Sequence, residues 1–270
     1  MTDQPLVSVI IPTYKRSELL RRAVDSVKNQ TYLNVEIIVV DDANENKVRE
    51  LFVNDTEVIL LVNETNKGGC FSRNRGIKES KGEFINFLDD DDILYPTKIE
   101  KQVHHIQLNP NNVENLGFVT CHTNDGRSGE IVKKENRVKG NIHKNLLRKF
   151  SLTGIESVLY KKEALIKVDG FDEQMVSSQE YDLLIRISEY YNVDFVDEIL
   201  TEEFKSEDQI SINFKKKMKG ARQIYKKHKH RMYNVGLAFG IVMRIKYELI
   251  VFKFYLASIF GIRFYDRFLR

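Results

Sequence analysis

The chain has 270 residues, 42% hydrophobic and 30% charged, a balance that fits a soluble globular protein and excludes a disordered or collagen-like one. Its net charge of +3 conceals an asymmetry. Residues 205–270 carry 16 Lys and Arg against 4 Asp and Glu, and residues 1–204 carry 26 against 35. An acidic body with a basic tail argues against a uniformly basic nucleic-acid binder. Cys70 and Cys121 make no disulfide framework, which favours a reducing compartment. Met1–Leu6 has no basic or long apolar stretch, so no secretory leader is expected. The longest apolar runs, Val235–Met243 and Phe254–Ile262, are each about half of the ~20 residues a spanning helix needs.

Val7–Ile11, an apolar β-branched run stopped by Pro12, reads as a buried strand. Ser17 is then expected to cap a helix with Leu19, Leu20, Ala23, Val24 and Val27 at helical spacing. Val35–Val40 and Val58–Val62 read as the second and third strands, and Gly68-Gly69 breaks the chain before a helix around Ser72–Ser80. Phe84–Leu88 reads as a fourth strand, running into Asp89–Asp92. Pro96 suits the first turn of a helix with Ile99, Val103 and Ile106 on one face. The first ~110 residues thus alternate strand and helix, which predicts a mostly parallel sheet covered on both faces.

Beyond these, Gly117–Thr120 and Val193–Val196 read as strands, Ser178–Tyr190 as a helix, and residues 123–140 as a loop or hairpin. From Lys215 onward two or three helices are expected. In parallel sheets, ligands bind at the carboxyl ends of the strands. Three strands here end in polar, chemistry-bearing residues: Pro12-Thr13-Tyr14, Asp41-Asp42 and Asp89–Asp92.

Four adjacent carboxylates repel one another. Hard cations such as Mg²⁺ and Mn²⁺ take oxygen ligands and relieve that repulsion, usually with substrate phosphates completing the shell. The bland reading is a solvated acidic turn that caps the next helix. Asp41-Asp42 reads equally as a turn or as an acceptor for a ribose or base. Arg73, Asn74 and Arg75 after Gly68-Gly69 could approach a phosphate, although a glycine pair is commonly only a turn.

These residues, in this order, resemble glycosyltransferase family 2 over about residues 7–205. The resemblance is carried by Val7–Arg16, Gln30-Thr31-Tyr32, Glu36–Asp42, Asn66-Lys67-Gly68, Arg73–Gly76, Gly82–Ile85, Leu88–Asp92 and Gly170–Glu173. Leu88–Asp92 is similar to the family's metal-binding DXD motif. The resemblance implies a GT-A-type, Rossmann-like doubly wound α/β fold. It implies a catalytic domain over 1–205, with a nucleotide-binding half (1–110) and an acceptor-side half (111–205). A basic, aromatic-rich helical extension over 206–270 would follow.

By the same resemblance, Pro12, Thr13, Tyr14 and Arg16 would line the nucleotide pocket, with Tyr14 near the base. Asp41 and Asp42 would join them, Asp42 accepting from a uracil imide. Arg73 would lie near the base or diphosphate, and Asp89 and Asp90 would support the ribose and the metal site. Asp91, with Asp89, would hold Mn²⁺ or Mg²⁺. Many relatives carry a Glu-Asp pair at the catalytic base; here Ser178-Gln179-Glu180-Tyr181-Asp182 puts Glu180 at that position. Asp182 is the competitor, otherwise a carboxylate on the helix surface.

The implied reaction is an inverting transfer from a nucleotide-sugar, a UDP-sugar foremost, to a glycan, lipid-linked or protein-linked hydroxyl. Three readings of the tail compete: an anionic membrane surface bound through 215–270, a homo-oligomer interface, or packing onto the catalytic domain. The implied location is cytoplasmic, peripheral at the inner face of the plasma membrane. A non-catalytic scaffold relative is the alternative of another class. A nucleotidyltransferase would want a Gly-rich loop after the first strand, which Pro12–Arg16 lacks. No nucleic-acid partner is expected.

Overall fold

The computed structural model describes residues 4–108, 115–126, 131–150, 152, 154–204 and 213–268. Strands are β1 (Val7–Thr13), β2 (Val35–Asp41), β3 (Val58–Val62), β4 (Phe84–Phe87), β5 (Ile93–Leu94), β6 (Leu116–Asp125), β7 (Val132–Lys134), β8 (Leu159–Lys161) and β9 (Asn192–Glu203). Helices are α1 (Ser17–Lys28), α2 (Asn46–Phe52), α3 (Gly69–Glu79), α4 (Lys98–Leu108), α5 (His143–Arg148), α6 (Lys162–Lys167), α7 (Gln179–Ser188), α8 (Phe214–Val235) and α9 (Leu237–Phe268). The contacts group into two compact units, one of 1–142, 151–171 and 186–206, the other of 143–150, 172–185 and 207–270.

The first unit is built on one sheet in the order β3-β2-β1-β4-β8-β6-β9-β5, with β7 paired to β6. The β3-β2-β1-β4 portion is parallel throughout, as the alternation of strand and helix predicts. The other portion adds antiparallel pairs, β4–β8, β6–β8, β6–β7 and β5–β9, beside the parallel β6–β9 pair. The 123–140 segment is a hairpin in part, through β6 and β7. β1 runs on through Pro12 to Thr13. The β4 ladder ends opposite Ile10, so proline's missing N–H falls beyond the pairing with β4.

β1 is apolar without alternation because both of its faces are covered. Val9 and Ile11 join Leu20, Ala23, Val24 and Val27 of α1 in one buried cluster. Ile10 points to α3, where Gly76 leaves room for it. Ser17 does not cap α1: Arg16 holds the cap position and makes no side-chain cap bond. The arginine is engaged elsewhere, with the acidic loop described below.

The second unit is helical. Asn213 caps α8, its Oδ1 accepting from the Lys216 N–H at 3.0 Å. Gly236, at φ 153°, joins α8 to α9, and α9 is broken at Gly261, where φ is 81°. Ala221, Ile224, Met232, Met243, Tyr247 and Val251 are buried. Residues 207–270 group in this unit with residues 143–150 and 172–185. The expected boundary at 205–206 falls within 205–212, outside the described residues, as do the side chains of Phe264 and Phe268.

A Cβ built on Gly76 lies 2.4 Å from Ile10 Cγ2. Alanine ordinarily favours a helix over glycine by about 1 kcal/mol; here overpacking reverses the sign. Gly76→Ala is expected to destabilise the protein by about 1–3 kcal/mol in urea denaturation, and a neutral or stabilising result would refute this packing.

Candidate active site

Parallel pairing brings the carboxyl ends of β1, β2 and β4 to one edge of the sheet. Thr13 of β1 lies opposite Asp41 of β2, and the Asp42 N–H donates to the Thr13 carbonyl at 2.9 Å. β4 ends at Phe87 and releases Leu88–Asp92 beside them, the Leu88 N–H donating to the Ile10 carbonyl. Most donor-side residues inferred from sequence are thus gathered here, but they do different work.

Asp41 is fully buried and holds its own loop: Oδ1 accepts from the Ala43 N–H at 2.9 Å and Oδ2 from the Glu45 N–H at 2.8 Å. Asp42 ties two loops together. Its Oδ1 accepts from Asn63 Nδ2 and the Lys67 N–H, and its Oδ2 from the Gly68 N–H, each at 2.8 Å. Gly68 takes φ 90° to present that N–H, a conformation that favours glycine. A carboxylate has about four acceptor sites, so three bonds leave Asp42 one more.

The acidic loop is counterbalanced by two arginines. Arg16 Nη1 reaches Asp90 Oδ1 at 3.2 Å and Asp91 Oδ2 at 3.1 Å. Arg73 Nη2 reaches Asp89 Oδ1 at 2.5 Å and lies over the Phe171 ring. Asp90 also accepts from Thr13 Oγ1 at 2.8 Å, and burial raises its carboxyl to about 6. Asp92 accepts from the Phe204 N–H at 2.9 Å. Burial first, then the charges of Glu156, Asp89 and Asp91, push its carboxyl up strongly. Tyr14 is 43% exposed, the state of a ring available to stack on a base.

Asn74 and Arg75 do not face this loop. Asn74 pairs with the Phe171 backbone, donating to its carbonyl at 2.9 Å and accepting from its N–H at 2.8 Å. Arg75 donates to the Val62 carbonyl and to Asn63 Oδ1.

Carboxylate oxygens of Asp89, Asp91 and Asp92 lie within 4.8 Å of one another. A hard, all-oxygen donor set of that size fits Mg²⁺ or Mn²⁺. A bound cation would favour the ionised form of Asp92, against the effect of burial. Sequence reasoning took Asp91 and Asp89 from this trio and missed Asp92. It also missed Asn63, Glu156 and Phe204. They come from other strands and loops, and no local spacing announces them.

Glu180, half-buried, stands in the first turn of α7, in the second unit. Asp182 is not a helix-surface carboxylate. It is fully buried, 2.8 Å from His228 Nε2 and 2.9 Å from Lys227 Nζ, both on α8. Arg231 Nη1 lies 3.4 Å from His228 Nδ1. Guanidinium only donates, so Nδ1 accepts and the ring is the neutral Nε2–H tautomer donating to Asp182. Burial lowers the His228 pKa below its ordinary 6.5, outweighing Asp182, which raises it.

The family model described as glycosyl transferase family 2 matches residues 8–174. An uncharacterised glycosyltransferase of Methanocaldococcus jannaschii is 34% identical over 207 residues, 73% of this chain and 70% of that protein. S. aureus TarS 1–349 in complex with UDP-GlcNAc superposes with a TM-score of 0.67 at 17% identity, over 98% of this chain and 76% of the other. The mannosyltransferase PcManGT of Pyrobaculum calidifontis, in complex with GDP-Man and Mn²⁺, gives 0.65 at 17%, over 97% and 77%. The two solved structures share the GT-A fold expected from the sequence. The chain belongs to glycosyltransferase family 2. It spans about two thirds of the length of the curated relatives it matches.

The depressed His228 pKa has a defined sign in stability. As pH falls through about 6.5, the unfolded chain takes up a proton that the folded chain still refuses, so stability declines. His228→Gln is expected to flatten the fall of melting temperature between pH 7 and pH 5. Superimposable pH profiles for the two proteins would show that His228 does not contribute.

Proposed function

We propose that the chain is an inverting, metal-dependent glycosyltransferase that moves a sugar from a nucleotide-sugar, a UDP-sugar foremost, to a hydroxyl of a glycan, lipid-linked or protein-linked acceptor. The observation that carries this reading is the meeting of Asp42, Arg73 and Asp89–Asp92 at the carboxyl edge of one parallel sheet. That is where phosphate-bearing ligands bind in such folds. TarS with UDP-GlcNAc and PcManGT with GDP-Man support a nucleoside diphosphate donor. The remaining acceptor site on Asp42 suits an imide N–H, which favours uracil.

In this reading Tyr14 stacks on the base, Asp42 accepts from it, and Pro12 and Thr13 shape the floor. Asp41 keeps the Asp42 loop in place. Arg16 and Arg73 orient the carboxylates and stand beside the diphosphate. Asp89, Asp91 and Asp92 would hold Mn²⁺ or Mg²⁺, which when bound stabilises charge on the departing diphosphate. Asp90, tied to Thr13 and Arg16, supports that loop and the ribose. Glu180 takes the proton from the acceptor hydroxyl. The oxygen attacks the anomeric carbon from the face opposite the diphosphate, whose bond to that carbon breaks as the new one forms. One displacement inverts the configuration. The burial of Asp182 against His228 and Lys227 supports Glu180 as the base.

Purified protein with Mn²⁺ and a panel of UDP-, GDP- and dTDP-sugars, without acceptor, is expected to release nucleoside diphosphate slowly from one donor. Asp91→Ala is expected to abolish release. Glu180→Gln is expected to keep nucleotide affinity and to lose roughly 10²–10⁴-fold in turnover. Failure of every nucleotide to bind in calorimetry would move the assignment to a non-catalytic scaffold.

The tail supports a peripheral location at the inner face of the plasma membrane. No helix among the described residues is long and apolar enough to cross a membrane. Yet α9 exposes Leu237, Ile241, Ile245, Leu249, Phe252 and Ile259 along one side, and Arg244, Lys246 and Lys253 lie on the same helix. An apolar stripe with basic flanks suits an anionic lipid surface, where a lipid-linked acceptor would sit. The protein is expected to float with phosphatidylserine-containing liposomes at low salt, less so at high salt, and less with Ile245→Glu/Phe252→Glu. Absence of flotation together with a dimer in light scattering would assign the stripe to a second copy.

A further inference from the structure

Four residues of α8, Gly220, Gln223, Lys227 and His228, fall on one face at spacings of three, four and one. Each engages α7 or the segment that leads into it. Gly220 lies so close to Ser177 that an added Cβ would stand 2.2 Å from Ser177 Oγ and 3.0 Å from its carbonyl oxygen. Gln223 brackets the next stretch, its Oε1 accepting from the Val176 N–H at 3.1 Å and its Nε2 donating to the Gln174 carbonyl at 2.8 Å. Lys227 Nζ bridges Asp172 Oδ2 at 2.5 Å and Asp182 Oδ1 at 2.9 Å. His228 Nε2 completes the set on Asp182 at 2.8 Å.

This contact row covers a strained turn. Ser178 takes φ 63°, a left-handed conformation unfavourable for a residue with a Cβ. Its carbonyl accepts from the Asp182 N–H at 3.0 Å. Such a conformation persists only where the surroundings over-determine it. The surroundings here are Gly220 on one side and the Lys227–His228 pair on the other.

The consequence reaches Glu180 through helix geometry. Residues two apart on an α-helix point roughly 200° apart. Burying the Asp182 carboxylate against α8 therefore fixes the rotation of α7 about its axis, and with it the direction of Glu180. A charge with no exposure must keep its partners, because removing one leaves it uncompensated. A buried ion pair adds little net stability, yet breaking it by removing one partner is costly.

We propose that α8, which lies beyond the residues matched by the family model, is a positioning element of the acceptor-side base: Lys227 and His228 hold Asp182, and through it the rotation of the first turn of α7 that bears Glu180. His228 and Lys227 are positioning residues and touch no reacting atom. The inference rests on the reading of Glu180 as the base.

Hydrogen exchange and kinetics test it on the full chain, with the nucleotide-sugar that the donor panel identifies. In His228→Leu the amides of 179–184 are expected to exchange at least tenfold faster, with β1–β4 unchanged. Turnover is expected to fall about 10- to 100-fold, as for a displacement of about 1 Å, with donor KM within about twofold. His228→Gln, whose amide N–H still donates to Asp182, is expected to return turnover to within about threefold of wild type. A residue that served only overall stability would not give this split between turnover and donor KM, nor its rescue.

Gly220→Ala gives an independent arm should His228→Leu fail to fold. A Cβ at Gly220 overpacks Ser177 as one at Gly76 overpacks Ile10, so a modest fall in melting temperature is expected, with lower turnover and with faster exchange confined to α7 while β1–β4 exchange as in wild type. Wild-type exchange at 179–184 in folded His228→Leu or Gly220→Ala overturns the proposal, and this measurement needs no substrate. Wild-type turnover in Glu180→Gln instead removes the base reading on which it rests. Loss of turnover in Glu180→Gln with full turnover in His228→Leu removes the positioning role alone.

Discussion

Parallel pairing of β1 with β2 and β4 carries Asp41, Asp42 and four consecutive aspartates to one sheet edge, and the rest of the first unit answers that concentration of charge. Two ionised carboxylates 4.8 Å apart would repel by roughly 3.5 kcal/mol at an effective dielectric near 20, a repulsion that the raised pKa values of Asp90 and Asp92 partly relieve. Several such pairs would rival the net stability of a domain. Each answer comes from a different element. Arg16 comes from the turn before α1, Arg73 from α3, Thr13 from the end of β1 and the Phe204 N–H from beyond β9. The Lys67 and Gly68 amides do the same for Asp42. The fold around the edge is a shell of donors, and a divalent cation would be its last member.

The second unit handles its buried charge differently. Asp182 has no exposure and no chain of aspartates around it, so one ammonium and one imidazole N–H of the same helix suffice. The same physics then works on the histidine. Burial favours the neutral ring more strongly than Asp182 favours the charged one, and Arg231 selects the tautomer. One carboxylate, one neutral donor and one ammonium make a contact specific in direction, where an apolar patch would let α7 slide or turn.

The parallel half of the sheet was legible in sequence because β1, β2 and β3 are short β-branched runs, and their ends carry the aspartates. Ser17 misled, because a hydroxyl at a helix start is ordinarily a cap; here the site took Arg16 and left α1 without one. Asp92 was visible but unassigned. Its side chain is held by the Phe204 N–H, far along the chain, which no local spacing announces. Asp182 offered itself only as a competing base or a helix-surface carboxylate, because its partners sit 45 and 46 residues later in the chain. Local periodicity shows that a helix exists. It does not show which charged face another helix will cover.

The bond from the Phe204 N–H to Asp92 joins residues 112 positions apart. On a ribosome adding roughly 5–20 residues per second, the acidic loop emerges about 6–22 s before the strand end that closes it. For that interval Asp92 stands beside Asp89–Asp91 with neither the Phe204 amide nor β9 yet synthesised. The order of synthesis makes the Phe204–Asp92 bond one of the last contacts that the first unit can form.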